Sequence, residues 1–296
     1  MTFADIDFVL ALGGLIAGIV VGLTGMGGAA LVTPMLVLIF GINPATAVSS
    51  DVVAAAIMKP VGAIVHIRAK TVHWGLVAWL SAGSVPGVIL GTLVFAKVLN
   101  TDEAAETIKT WIGWVLLLAL AAMVAKVWVG RRAAAKRGEL APVGTDMPVK
   151  VAPTIALGFV VGAIVGMTSV GSGSLIVTTL LLLYPLLRPS ILVGTDLTQA
   201  VPMLIAGAIA HAGFGEISIA VVVSLLIGQI PGIWIGAKMS SRYDGHMLRW
   251  LLMVVLAATA LKLLGVSSLI TGIIALVGVA IVSVLIVRER MHAKTA

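Results

Sequence analysis

Apolar residues fill this chain in long, nearly uncharged blocks, such as Trp111 to Ala125 and Ile270 to Val287, separated by short clusters of Gly, Pro and charge. Blocks of about 20 apolar residues match a hydrocarbon layer about 30 Å thick, so the pattern predicts helices that cross a membrane. Read between the punctuation, the chain divides into helical segments at 8–24, 29–41, 45–65, 74–97, 109–129, 154–170, 173–187, 190–211, 218–238, 247–264 and 268–287.

The blocks repeat. At an offset of 145 residues Asp51 falls on Asp196, Gly62 on Gly207, Ala63 on Ala208 and His66 on His211. The run Gly83, Pro86, Gly87, Gly91 falls on Gly228, Pro231, Gly232, Gly236 at the same offset. Upstream the offset is 144, pairing Gly18 with Gly162, Gly22 with Gly166, Thr24 with Thr168, Gly27 with Gly171 and Leu31 with Leu175. Composition alone does not produce so many matches at one spacing, so the chain is a duplicated unit. Duplicated membrane bundles are a common way to build a site that opens alternately to two sides.

Loop charges assign the sides. Gly130 to Lys150 carries Arg131, Arg132, Lys136, Arg137 and Lys150 against Glu139 and Asp146, and the tail carries Arg288, Arg290 and Lys294. Basic loops favour the cytoplasm. With those two inside, His66 to Lys70 and Lys238/Arg242/Arg249 also fall inside, whereas Asp102 to Glu106, the Glu216 turn and acidic Met1 to Asp7 fall outside. The N-terminus is expected outside and the C-terminus in the cytoplasm. Five spans per unit then place the second unit upside down relative to the first.

The expected fold is an all-α polytopic membrane protein of two inverted-topology five-helix repeats plus one extra C-terminal helix. Each repeat opens with short or Gly-broken helices, at Gly22 to Gly28 and Gly166 to Gly173, which either cross or dip in and return. The expected divisions are a first repeat at 1–129, a basic linker at 130–152, a second repeat at 153–264, and an extra helix with its tail at 265–296.

Composition changes little in this picture and excludes much. Hydrophobic residues make up 60% of the chain and charged ones 10%, with mean hydropathy +1.18, which no water-soluble fold of this length carries. The net charge of +7 sits in short loops beside apolar blocks, where it orients the protein and does not call for nucleic acid. Asp5 and Asp7 without a Lys or Arg before the first block are unlike the basic start of a cleaved signal peptide, so the first span is expected to stay. There is no cysteine, and the five histidines show no metal-ligand spacing, so neither a metal site nor a cofactor is expected.

A Gly-rich turn opens each half, Pro34 follows a few residues on, then come Val48-Ser-Ser-Asp51 and Val193-Gly-Thr-Asp196, each leading into a helix that ends in His66 or His211. In these features, over about residues 9–287, the chain resembles the TauE/SafE family of sulfite exporters and related anion permeases. The resemblance implies a carrier in a prokaryotic plasma membrane for small sulfur anions such as sulfite, sulfonates or sulfoacetate. Ser49-Ser50 stands where the second half has Gly194-Thr195, so the halves need not contact a substrate equally.

Glycine breaks leave backbone N–H groups unpaired at positive helix ends, which suits an anion. Gly25, Gly27, Gly28 and Gly171, with the hydroxyls of Thr24, Thr168, Ser169, Ser172 and Ser174 beside them, are therefore candidate substrate ligands; the alternative is that small residues only let helices approach closely. Asp51 and Asp196 lie near the starts of apolar helices and either cap them or bind a coupling proton or sodium ion. Lys59 lies inside Val52 to Val65, has Leu204 as its counterpart, and either attracts the anion or snorkels to the membrane edge or pairs with Asp51. Ser50, Thr195, Thr198 and Gln199 add hydrogen-bonding groups on the same helices, and Gln229 stands opposite Ser84 in the fourth ones. His66 and His211 serve either as dipole partners at helix ends or in gating or proton relay. Pro60, Pro86, Pro202 and Pro231 are expected to kink or interrupt their helices.

The leading reading is a secondary transporter of small sulfur-containing anions by alternating access. A passive anion channel on the same frame is the alternative. An intramembrane enzyme lacks a GxSxG elbow, and no GxxxxGK[ST] motif is present for ATP.

Overall fold

In the computed structural model, which describes residues 7–24, 29–139, 147–214, 217–240 and 246–280, the chain is all-helical. In order the helices are α1 (Phe8–Thr24), α2 (Ala29–Leu38), α3 (Pro44–Arg68), α4 (Trp74–Leu99), α5 (Ala104–Glu139), α6 (Val151–Thr168), α7 (Ser172–Leu183), α8 (Pro189–Phe214), α9 (Ile219–Ser240) and α10 (His246–Leu263). An eleventh, α11 (Ser268–Ala280), follows. Each predicted segment is one helix over its described residues, and 281–287 of the last segment lie outside them. Six of them, α3, α4, α6, α8, α9 and the Ala104–Ala125 part of α5, are long and apolar enough to cross a membrane, and the chain is a multi-pass membrane protein.

Three details differ from the sequence reading. The fifth helix does not stop at residue 129 but continues to Glu139, because Arg131-Arg-Ala-Ala-Ala-Lys-Arg137 is built from strong helix formers. The second helix of each repeat is shorter than expected. α2 has 10 residues and α7 has 12, about 15 and 18 Å at 1.5 Å per residue, half the hydrocarbon thickness. α7 stops at Tyr184, the residue before Pro185, where helical geometry is disfavoured. Finally, Pro60, Pro86, Pro202 and Pro231 interrupt nothing: all four lie inside continuous helices.

The repeats are interleaved. The closest pairs are α1 with α9 and α4 with α6, so each repeat's first helix packs on the fourth helix of the other. α3 and α8 pack together in the centre, α3 also on α9 and α8 also on α4, while α5 meets α10. Every one of these pairs maps onto another of them, or onto itself, when the repeats are exchanged.

Glycine explains the two tightest pairs. In lipid there is little hydrophobic gain when helices meet, so association depends on close backbone approach. Gly14, Gly18 and Gly22 of α1 face the backbone of Leu225, Gln229 and Ile233, and Gly228, Gly232 and Gly236 of α9 answer at Ala11, Leu15 and Ile19. The same seam recurs where Gly158, Gly162 and Gly166 of α6 face Leu80, Ser84 and Val88, and Gly83, Gly87 and Gly91 of α4 face Ile155, Phe159 and Ala163. Residue numbers rise together on both sides of each seam, so the paired helices run parallel. Several of the glycines that reveal the duplication are thus the ones that hold it together.

Two apolar clusters flank the centre. One gathers around α1, α2, α5 and α10, the other around α4, α6, α7 and α8, and Val21, Met58, Leu197 and Ile233 form a third, smaller cluster. Outward residues such as Ile209 and Leu269 are apolar yet exposed, as a lipid-facing surface requires.

Candidate functional site

The buried polar groups concentrate on α3 and α8, the central pair. Asn43, not Asp51, caps α3, its side chain accepting from the Ala45 N–H at 2.9 Å. Asp51 is the eighth residue of α3 and Asp196 the eighth of α8, both buried well inside their helices, so the capping alternative fails for both. Asp51 Oδ2 accepts from Thr33 Oγ1 at 2.6 Å and from Ser169 Oγ at 3.0 Å. On the other side, Gln199 Nε2 donates to Asp196 Oδ1 at 3.5 Å, and Gln199 Oε1 accepts from Ser84 Oγ at 3.3 Å.

Lys59 does not snorkel. It is 3% exposed, and its Nζ donates to Ser172 Oγ at 2.7 Å within electrostatic reach of Asp196 and Asp51. Asp51, Lys59, Ser169, Ser172, Leu204 and Gln229 line one small cavity of about 10 Å³, room for about one water molecule. Lys59 and its counterpart Leu204 therefore share the cavity, an ammonium on one side and methyl groups on the other. Gln229 is buried there, with no partner for its Oε1 among the described residues.

The α6–α7 break builds one wall of this cavity. Ser169 ends α6 at φ 61° and Gly171 opens α7 at φ 111°, left-handed values that glycine adopts freely and serine seldom does. No side chain caps α7, so its first N–H groups lie beside Ser172 with the positive end of the helix dipole. A buried ammonium and an uncapped helix start meet at one point, an arrangement that is chemically able to hold a small anion.

Other candidates have structural partners. Thr168 Oγ1 donates to Ile164 O at 2.8 Å and accepts from Val170 N at 3.2 Å, so it is spent on the break itself. Thr198 Oγ1 donates to Gly194 O. Ser50 Oγ accepts from Ser218 N at 3.0 Å, and Thr195 Oγ1 from His73 N at 3.0 Å. These two bonds are repeat counterparts, tying the start of each third helix to the turn before the other repeat's fourth. Ser174 borders a separate apolar cavity with Val20, Leu31 and Met123. Thr24 is the last residue of α1, with its side chain outside the described ones, and Gly25, Gly27 and Gly28 lie outside the described residues.

The two histidines sit away from the cavity and are not equivalent in their bonding. His211 Nε2 meets Gly166 O at 2.9 Å, and Nδ1 meets Ser49 Oγ at 3.1 Å. Since a carbonyl only accepts, Nε2 carries the proton and Nδ1 accepts from Ser49. Phe95 packs on the ring at 4.9 Å between centroids. His66 Nδ1 bonds Thr71 Oγ1 at 2.9 Å, while its buried Nε2 has no partner among the described residues. Thr33, Ser49 and His73 joined these networks unforeseen; Thr33, polar within the apolar Ala29–Leu38 run, was the one with a visible signal.

The sequence matches the family described as sulfite exporter TauE/SafE over residues 10–263. The chain belongs to the TauE/SafE family. That match ends on the last residue of α10, Leu263. A relative, the probable membrane transporter protein YjnA of Bacillus subtilis (strain 168), is 37% identical over 85% of this chain and 97% of its own length. YunE of the same organism, named likewise, is 25% identical over 81% of this chain and 89% of its own. A probable membrane transporter protein of Xylella fastidiosa (strain Temecula1) is 25% identical over 88% and 95%. No solved structure matches the chain. This TauE/SafE member is a membrane transporter.

Proposed function

We propose that the chain is a secondary carrier for small sulfur-containing anions of the sulfite, sulfonate or sulfoacetate type, working by alternating access and coupled to a proton or sodium gradient. The observation that carries this reading is Lys59, buried between the repeats with its Nζ on Ser172 at the uncapped start of α7. An ammonium beside the positive start of a helix suits a small anion, and the family's name points to sulfur oxyanions.

The packing supports inverted repeats. α1 runs parallel to α9 and α6 parallel to α4, while the Ser50–Ser218 and Thr195–His73 bonds join opposite ends of the central pair. The N-terminus is read as outside and the basic tail as cytoplasmic, in a prokaryotic plasma membrane.

A passive channel is the second reading, and the cavity weighs against it. A space for about one water, with hydrogen-bonded bridges towards both ends, suits an occluded carrier rather than a pore. Uptake of radiolabelled sulfite, sulfate, taurine and sulfoacetate into proteoliposomes, with and without pH and sodium gradients, separates the two. Gradient-driven accumulation is expected; flux that only dissipates a gradient would make it a channel, and no flux of any of these anions would refute the substrate class.

A further inference from the structure

Asp51 and Lys59 line one buried cavity, where one carboxylate balances one ammonium. An anion docking on Lys59 would leave an excess of one negative charge where charges are poorly screened. It must therefore arrive with a compensating positive charge. We propose that this charge is a proton taken up by the Asp51 carboxylate, so that anion and proton bind as a pair and the chain is a proton–anion symporter; the proposal rests on the reading of the Lys59 cavity as the anion site.

Asp51 is suited to this by its neighbours. Both of its hydrogen-bond partners among the described residues are hydroxyls, Thr33 Oγ1 at 2.6 Å and Ser169 Oγ at 3.0 Å, and a hydroxyl can donate to a carboxylate or turn to accept from a carboxylic acid. The proton has somewhere to point in either state. Sodium is served less well, because the Lys59 ammonium that lines the same cavity repels a cation.

The anion and the proton are linked through one short segment. Ser172 holds Lys59, and Ser169, three residues earlier, holds Asp51, with the left-handed Gly171 between them. An anion that replaces Ser172 on Lys59 also weakens the pull of Lys59 on Asp51, which favours the neutral acid. From the elements packed on α3, the groups facing this region are Thr33 of α2, Ser169 and Ser172 of the α6–α7 break, Asp196 of α8, with His211 further along at Ser49, and Gln229 of α9. Among the described side chains of α5, the buried ones, such as Ile112 and Leu116, are apolar. The proton enters from the side to which the site is open and leaves with the anion on the other.

The test is calorimetric titration of the purified full chain with methanesulfonate and isethionate, whose sulfonates stay ionised from pH 6 to 8 and take up no proton themselves. Titration in two buffers of different ionisation enthalpy counts protons. Expected are about one proton bound per anion, a Kd that rises towards about tenfold per pH unit, and the same Kd in sodium and choline gluconate. Asp51→Asn is expected to bind without proton uptake, and Asp51→Glu to restore it. Binding without proton uptake in the wild type, which needs no variant to fold, would overturn the proposal and leave the anion site standing. Unchanged uptake in Asp51→Asn or a sodium requirement would do the same. Failure of both sulfonates to bind, or full-strength binding by Lys59→Met, would instead overturn the anion-site reading beneath it.

Discussion

Replacing Gly18 with alanine sets one methyl group into the α1–α9 seam, where there is no side chain to give way. Its Cβ would lie 2.6 Å from the Gln229 carbonyl oxygen and 3.0 Å from both Gln229 Cα and Ile233 N, all backbone atoms. A carbon rests about 3.3 Å or more from a carbonyl oxygen, so the helices must part by about 0.7 Å at this point. A gap of that size forfeits about a quarter to a half of the dispersion energy of each neighbouring contact. Overpacking of this kind costs about 1–3 kcal/mol, and a loss of about 2 kcal/mol is expected, about thirtyfold in the unfolding equilibrium. The control is internal. Gly272 of α11 has nothing within 4 Å, so Gly272→Ala is expected to be neutral or to stabilise by up to about 1 kcal/mol through helix propensity. Unfolding in mild detergent followed by tryptophan fluorescence compares the three proteins. If Gly18→Ala unfolds with the wild type, the seam does not hold the repeats together and the close-approach argument is wrong.

Lys59→Met removes the cavity's ammonium and is expected to weaken anion binding on the order of 10- to 100-fold, the worth of one charged hydrogen bond, whereas Lys126→Met leaves the Kd unchanged; equal affinities would make Lys59 structural. Tyr184→Phe deletes a hydroxyl that accepts from Lys150 N at 2.8 Å and bonds Thr154 Oγ1 at 2.8 Å, so about 1–2 kcal/mol of stability is lost, visible as a lower melting temperature with an unaltered anion Kd. Single cysteines at positions 70 and 216, probed with an impermeant maleimide in whole cells, should label from opposite faces; labelling from the same face would refute the inverted repeats.

What could be read from the sequence was whatever breaks a rule locally. Lys59 and Asp51 stand out because charge interrupts an apolar block, and all the helices appear because the blocks are long and their punctuation is Gly, Pro and charge. Partners are another matter. Ser169 lies 118 positions from Asp51 and Ser172 lies 113 from Lys59, and nothing local joins them; only the duplication brings those regions into relation. The glycines show the same limit. Gly22 and Gly166 sit beside the breaks and read equally well as site-lining or as packing residues, and only the facing backbones of Ile233 and Val88 reveal them as packing residues. Thr195 and Ser50 looked like ligands because they neighbour the aspartates, but one turn of helix directs them to the His73 and Ser218 amides instead.

The two glycine seams also bear on whether one unit could stand alone. Each unit lends its first helix to the fourth helix of the other, so a unit alone would present Gly14, Gly18 and Gly22, and the glycines of its own fourth helix, to lipid with nothing to fill them. On the inverted reading, a unit by itself would need a second copy, inserted the other way up and exchanging first helices with it, to cover those glycines. One chain that carries both units can also differ between them, and lysine at 59 against leucine at 204 is a difference that a symmetric dimer of identical units could not have.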